Sequence, residues 1–527
     1  MLLLTGSSLS IEDVYDVVYE FASVGIADEA KTAMLASRDS VNRWVENKET
    51  VYGITTGFGD LATVHIPVAQ IEKLQENLIL SHSAGAGEPL PPAIVRAMLL
   101  LRANALCKGF SGVRIETVEF LLRLLNENLL PIIPSQGSVG SSGDLAPLAH
   151  LALAAIGRGK FWQFAKQGAA TRARLDSTNH ETVAAERLLQ EKGIAPLQLH
   201  AKEGLALING TQMMTAFGAL EIFESRRLAL AADICAALSL EGLKGTDRAF
   251  DARLHAARPH AGQTLVATNI RALMRGSAIR ESHRANDPRV QDAYSLRCVA
   301  QVHGASRDAI EFAAGVIATE INSATDNPLI FPVDDEHKIA EHIEGGNFHG
   351  QPVALALDFL AIALAELASI SERRIERLVN GSLSGLPKFL TEHGGLNSGM
   401  MIAQYTAASL VSENKVLCHP ASVDSIPTSA NQEDHNSMGS IASRKCYTVL
   451  RNVRAVLAIE LLCAAQAIDF HRPLKCGAGT EPAYQLIRSL VPHLGEDRII
   501  HNDIQTIIEL LLGGGLQAKV RMIAEID

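Results

Sequence analysis

The sequence predicts a mostly α fold, a body of long bundled helices joined to an N-terminal domain of shorter helices and loops. Three observations lead there. The stretches 211–240, 352–380 and 444–470 are apolar around much of their circumference, and each outruns an ordinary globular helix. Strand-like alternation is short and sparse. Knots rich in Gly, Asn and Pro punctuate the rods at 52–60, 81–90, 137–147, 286–298, 322–328, 345–352 and 419–439, and loops set on rigid elements are where sites tend to lie. The division expected from this pattern puts residues 1–210 in the N-terminal domain and 211–527 in the bundle.

The first rod, "TQMMTAFGALEIFESRRLALAADICAALSL", holds one Gly and no Pro, so nothing interrupts its backbone ladder. A helix apolar on most sides must meet several neighbours, which predicts a central bundle and makes association between subunits plausible. The most apolar stretch, 353–371, contains Asp358 and Glu366. Ionisable groups in mid-stretch suit a buried bundle helix better than a membrane span. The polar run 163–193 reads as a surface excursion.

Composition narrows the function classes. With 47% apolar and 20% charged residues a large core is available, and a net charge of −11 without a dense Lys/Arg run argues against a nucleic-acid partner. Seven scattered Cys, an odd number with no CxxC, indicate neither a disulfide framework nor a zinc knuckle. A reducing, cytoplasmic compartment is expected. The opening "MLLLTGSSLS" lacks the basic segment and long apolar run of a signal peptide.

The stretch "GSVGSSGDLAP" (137–147) needs a reason for so bare a backbone. A phosphate loop fails because Asp144 follows the last Gly and no Lys is near. The Gly spacing of three and three excludes GxGxxG, and neither Ser141 nor Ser142 sits in GxSxG. An ordinary loop remains, or chemistry of the backbone itself. In the latter, the Gly143 nitrogen attacks the Ser141 carbonyl carbon and closes a five-membered ring through Ser142. Loss of water gives an imidazolone, and loss of the Ser142 hydroxyl leaves an exocyclic methylene. Gly is needed at 143 because a Cβ would obstruct the bend. Asp144 is expected to cap the helix begun by "LAPLAH", with Pro147 tolerated in its first turn.

The longer run "GSVGSSGDLAPLAH" resembles the signature of the histidine/phenylalanine/tyrosine ammonia-lyase family, whose members make 4-methylidene-imidazole-5-one (MIO) from such a tripeptide, and the resemblance covers nearly the whole chain. It implies MIO built from Ser141-Ser142-Gly143, with no external cofactor and no metal. The commonest family form begins with Ala. Ser141 leaves a hydroxymethyl where the family usually has a methyl, without touching the atoms that cyclise.

The other knots carry the same resemblance, although each alone has an ordinary structural reading. "YGITTGFGDLA" (52–62) resembles the family loop that carries the catalytic Tyr, which implies that Tyr52 is the base for the β-proton, and Gly53, Gly57 and Gly59 suit a mobile, lid-like loop. A phenol with a pKa of about 10 is some three units from neutrality, a cost of about 4 kcal/mol that its surroundings must offset. Thr55 stands where the family more often has Asn. In "LSHSAGAGEPL" the pair Ser81-His82 looks like the histidine-selective form, with His82 facing the substrate side chain; phenylalanine-type members tend to have Phe-Leu and tyrosine-type members His-Leu. Asn209 of "AKEGLALINGTQ" would donate to the ring carbonyl as charge builds there. If 287–305 is helical, Tyr294 and Arg297 share a face with Gln291 a turn earlier. Arg297 is then the carboxylate clamp. Asn327 resembles a further carboxylate contact and Phe348 a pocket wall. Gly350-Gln351 departs from the Ala-Glu expected after "GNFH" in histidine-type members. Glu433, in "CHPASVDSIPTSANQEDHNSMGS", looks histidine-type: a carboxylate to bind an imidazole N–H where phenylalanine-type members have an amide.

Together these imply elimination of ammonia from histidine to give urocanate, in a homotetramer whose active sites are shared between subunits. The alternatives are a phenylalanine or tyrosine ammonia-lyase, or an aromatic 2,3-aminomutase, of the same family. From another class, a helical scaffold that never cyclises is supported only by Ser141. A fumarase-like lyase needs a Ser/Lys-rich loop that is not found.

Overall fold

The computed structural model describes residues 1–59, 63–164, 172–285, 287–333 and 339–527. It is mostly helical. The three expected rods are the helices Gln212–Gly242, Gln351–Val379 and Gly439–Asp469. A fourth, Val299–Glu320, follows the knot at 286–298. The described strands are three or four residues long and form separate two-stranded pairs: Leu2–Leu4 with Val24–Ile26 in parallel, and three antiparallel pairs. One of these, Lys160–Gln163 with Glu181–Ala184, sits at the expected surface excursion, of which residues 165–171 lie outside the described part.

The chain forms two compact units that interleave along it. The first takes in Met1–Phe223, Ala314–Asp358 and Pro420–Arg444; the second takes in Glu224–Ala313, Phe359–His419 and Lys445–Asp527. In the first unit, the helix Pro92–Cys107 has every residue buried. Its Pro stands at the first helical position, where no amide hydrogen is needed. Buried Arg96 lies along it and donates to the Val17 and Val18 carbonyls (2.7 and 3.1 Å) at the end of the helix Ile11–Tyr19. A guanidinium at a helix C-terminus satisfies carbonyls that the helix itself cannot. A cluster of Val41, Trp44, Val51, Ile54, Ile71, Ala201 and Ile330 lies under the loop that carries Tyr52.

The second unit is built on segments of the four long helices. Glu460 accepts from Ser239 (2.6 Å), Ser371 (2.6 Å) and Arg374 (2.5 and 2.8 Å), so three helix segments meet on one carboxylate. Among the described residues one helix, Gln351–Val379, is long and apolar enough to cross a membrane; 67% of its apolar window is buried within the protein. Asp358 on it is buried and accepts from the Ser422 N–H at 2.7 Å, whereas Glu366 is exposed.

Candidate active site

A cavity of about 450 Å³ opens in the first unit, and seven residues singled out in the sequence line it: Tyr52, His82, Ser142, Asn209, Asn327, Phe348 and Glu433. They come from seven separate blocks of chain. Ser141 and Gly143 flank Ser142 without lining the cavity.

The tripeptide is shaped by its last residue. Gly143 has φ +75°, and a Cβ there would lie 2.1 Å from the Gly210 carbonyl oxygen, so only Gly fits. The Asp144 N–H donates to that same oxygen at 2.7 Å and holds the approach. The capping expectation for Asp144 needs correction. The residue stands at the N-cap of the helix Leu145–Ala155 but makes no side-chain cap there. Its Oδ2 instead accepts from the Met214 N–H at 2.9 Å, in the first turn of Gln212–Gly242, and its Oδ1 from Ser138 Oγ at 3.3 Å. The carboxylate reaches a neighbouring helix whose first amides are otherwise without partners. Burial raises Asp144 to about 7, against these hydrogen bonds.

Glu433 faces the tripeptide. Its Oε2 accepts from Thr428 Oγ1 (2.7 Å) and Ser141 Oγ (3.0 Å), and its Oε1 from Ser142 Oγ (3.4 Å). His82 ends the helix Ile71–His82, with Ser81 Oγ 3.0 Å from its Nδ1. Burial lowers the imidazole from its ordinary value, and the Glu433 charge pulls the other way.

Tyr52 sits between buried Val51 and Ile54. Thr55, also buried, closes the turn, donating to the Glu49 carbonyl (2.6 Å) and accepting from the Val51 N–H (2.8 Å). The phenol oxygen of Tyr52 accepts from the Gly59 N–H at 3.2 Å. Residues 60–62, the end of that motif, lie outside the described part.

Asn209 follows the helix Glu203–Ile208 and rests on buried charge. Its Nδ2 donates to the Asn327 carbonyl (3.1 Å) and to Asp326 Oδ1 (3.4 Å); its Oδ1 is buried with no partner among the described residues. Asp326 pairs with Lys202 at 2.6 Å, both side chains fully buried, and also accepts from the Asn327 N–H at 2.7 Å. Arg102, equally buried, donates to the Asn209 carbonyl at 2.7 Å and to Gln212 Oε1 at 2.9 Å. Burial pulls Lys202 down against Asp326, and brings Arg102 to about 10. Two cations and one carboxylate therefore lie beneath the amide.

Gln291, Tyr294 and Arg297 belong to the second unit and do not line the cavity. The helix there spans only Tyr294–Arg297, so Gln291 precedes it rather than sharing its face. Arg297 stacks over the Tyr294 ring at 4.6 Å, its Nε is buried without a partner among the described residues, and Tyr294 is 70% exposed. Gly350 and Gln351, where the motif departed from the histidine type, are not in the cavity wall; Gln351 Nε2 donates to the Ser422 carbonyl at 3.0 Å.

Sequence reasoning noted Gln432 only as part of the polar knot around Glu433, and missed Phe58 and Glu344 in the wall and the Lys202–Asp326 pair behind it. Glu344 adjoins the "GGNF" block and Gln432 adjoins Glu433, so adjacency was the available signal. Lys202 and Asp326, 124 residues apart, had none.

A model of the aromatic amino acid lyase family matches residues 9–489. The histidine ammonia-lyase of Caldanaerobacter subterraneus subsp. tengcongensis is 54% identical over 519 residues, covering 98% of each chain. Among solved structures, histidine ammonia-lyase from Trypanosoma cruzi aligns with a TM-score of 0.89 and 47% identity, over 99% of this chain and 96% of its own. Tyrosine aminomutase from Streptomyces globisporus aligns with a TM-score of 0.90 and 38% identity, over 100% of this chain and 99% of its own.

Proposed function

The chain belongs to the aromatic amino acid lyase family, and from that premise we propose that it eliminates ammonia from L-histidine to give urocanate. The observation that carries this reading is that Glu433, which the family resemblance marks as histidine-type, lines one cavity with His82, Tyr52 and Ser142.

We propose that Ser141-Ser142-Gly143 is the source of MIO, with no external cofactor. The residues fit the group: the positive φ of Gly143 and the close approach of Gly210 suit a backbone that must turn back on itself. The ring supplies an electrophile for the substrate's amino group, making ammonia a better leaving group. The side chains do the rest. Tyr52 takes the β-proton at its phenol oxygen, which the Gly59 N–H already contacts. General-base catalysis alone contributes about 10²–10⁴-fold, which is why an electrophile is needed as well. Glu433 accepts from the imidazole N–H, while His82 and Phe348 wall the side-chain pocket. Asn209 serves developing negative charge with the amide hydrogen held only by its 3.4 Å contact to Asp326. Asn327, whose Oδ1 is taken by the Gly345 N–H at 2.8 Å, turns its amide hydrogens to the substrate carboxylate.

That carboxylate needs a cation, and among the described residues no Lys or Arg lines the cavity. The family resemblance implies a homotetramer with shared sites, and we propose that in it Arg297, with Tyr294 and Gln291, reaches the cavity of another copy. In this reading residues 1–210 carry the tripeptide and the Tyr52 loop, and 211–527 carry the bundle. A cytoplasmic location is proposed from the scattered, odd-numbered cysteines.

The likeness to a tyrosine aminomutase favours one second reading, an aromatic 2,3-aminomutase on the same ring. Supplying histidine, phenylalanine and tyrosine separately decides between them. Urocanate from histidine is expected. Return of a β-amino acid would favour the second reading, and indifference to histidine would overturn the first.

A further inference from the structure

Glu433 is held from two sides. Its own loop fixes the backbone: the Thr428 N–H donates to the Glu433 carbonyl at 3.0 Å, and Thr428 Oγ1 holds Oε2 at 2.7 Å. The second hydroxyl on Oε2, at 3.0 Å, comes from Ser141, which is 292 residues away in sequence and 8% exposed. Backbone and side-chain bonds clamp the two segments together, Met438 N–H to the Val139 carbonyl at 2.9 Å and Ser440 Oγ to the Ser138 carbonyl at 2.7 Å. The Ser141 contact is therefore made between fixed partners.

The third hydroxyl, Ser142 Oγ at 3.4 Å, is on the other oxygen, Oε1. When the tripeptide cyclises this oxygen departs as water, one of the two lost. Ser141 loses only its carbonyl oxygen, as the other water, and keeps its hydroxyl. Both lasting donors then lie on Oε2, and Oε1 is left for the ligand. A carboxylate with one oxygen doubly anchored has a fixed plane, which a lone acceptor on a flexible side chain lacks.

We propose that Ser141 is a specificity-positioning residue: with Thr428 it anchors Oε2 of Glu433 so that Oε1 is presented to the imidazole N–H of the substrate. The proposal rests on the histidine reading and deepens it. Ala at this position leaves Thr428 as the only side-chain donor on that oxygen among the described residues.

The test compares ligand binding with turnover in the full-length protein. In a Ser142→Ala background, which cannot form the ring, calorimetry measures imidazolylpropionate and phenylpropionate. Adding Ser141→Ala is expected to weaken imidazolylpropionate by roughly 5- to 20-fold, less than the loss of a direct hydrogen bond to a charged group because Thr428 still holds Oε2, and to leave phenylpropionate unchanged. Adding Ser141→Thr, which keeps the hydroxyl, restores the affinity. In the ring-forming chain, Ser141→Ala raises KM for histidine more than it lowers kcat, with the two-water mass loss intact. Equal weakening of both ligands, or no weakening of either, overturns the proposal. Glu433→Gln in the same background separates the layers. If it weakens imidazolylpropionate while Ser141→Ala does not, only the role of Ser141 falls; if it has no effect, the histidine reading falls and takes this proposal with it.

Discussion

Each compact unit buries an ion pair completely, and the two pairs are built differently. Arg374–Glu460, in the second unit, is closed. The guanidinium meets the carboxylate at two nitrogens, and Ser239 and Ser371 fill the remaining acceptor positions. Lys202–Asp326, in the first unit, is open. The free side of Asp326 holds Asn209 and the Asn327 backbone, both residues line the cavity, and Arg102 adds a second cation with its Nε and one terminal nitrogen unpartnered among the described residues. A buried pair whose every position is filled by the fold is scaffold. One that leaves charge in excess beside a cavity acts on whatever the cavity holds, because charge is poorly screened in a low-dielectric interior.

The largest effect should come from breaking the closed pair. Glu460→Gln leaves Arg374 buried without its counter-charge, and a loss of about 3–5 kcal/mol is expected in urea unfolding. Replacing both, Arg374→Met with Glu460→Leu, should recover most of that stability together with turnover, since apolar substitutes for a buried pair are often nearly neutral. The same double replacement at the open pair, Lys202→Met with Asp326→Asn, should recover stability but not turnover. Here kcat is expected to stay down by roughly 10²-fold, the cost of a misplaced catalytic group. Recovery of kcat would make the two pairs equivalent and end the distinction.

Glu433→Gln touches the cavity without touching either pair. Its effect should be confined to substrate: kcat/KM for histidine falls by roughly 10- to 100-fold, as for a lost charged hydrogen bond, with phenylalanine affected less and the unfolding midpoint unchanged. The smallest effect concerns Asp144, a buried acid with no cationic partner among the described residues. Its value rises from 3.8 to about 7 through burial. Between those values the folded chain holds a proton that the unfolded chain has released, so stability is full below about 4 and declines as pH rises towards 7. The depressed carboxyls Asp233 and Glu203 work the other way, losing stability as pH falls through their folded values. Unfolding free energies from pH 4 to 7 should therefore slope less in Asp144→Asn than in the parent.

The rods were readable because a largely apolar pattern with no Pro beyond its first turn has one stable form, and their ends fall close to those expected. The cavity wall was readable where a motif is contiguous: Ser142 within its Gly run, His82 after Ser81, Asn209 before Gly210. What depends on distant pairing was not. Nothing near Lys202 or Asp326 in sequence signals a pair, and nothing near Asp144 says that its carboxylate reaches Met214. The helical face held for Tyr294 and Arg297 but not for Gln291, since the helix starts only at Tyr294. That the three belong to a different compact unit from the cavity follows from the packing of the whole chain, which no single motif records.

Everything turns on whether residues 141–143 become a ring. Intact mass of the purified, full-length chain measures that directly. A mass two waters below that of the sequence, returning to the full value in Ser142→Ala together with loss of urocanate formation, is the predicted result. An unmodified chain that still converts histidine to urocanate would contradict it.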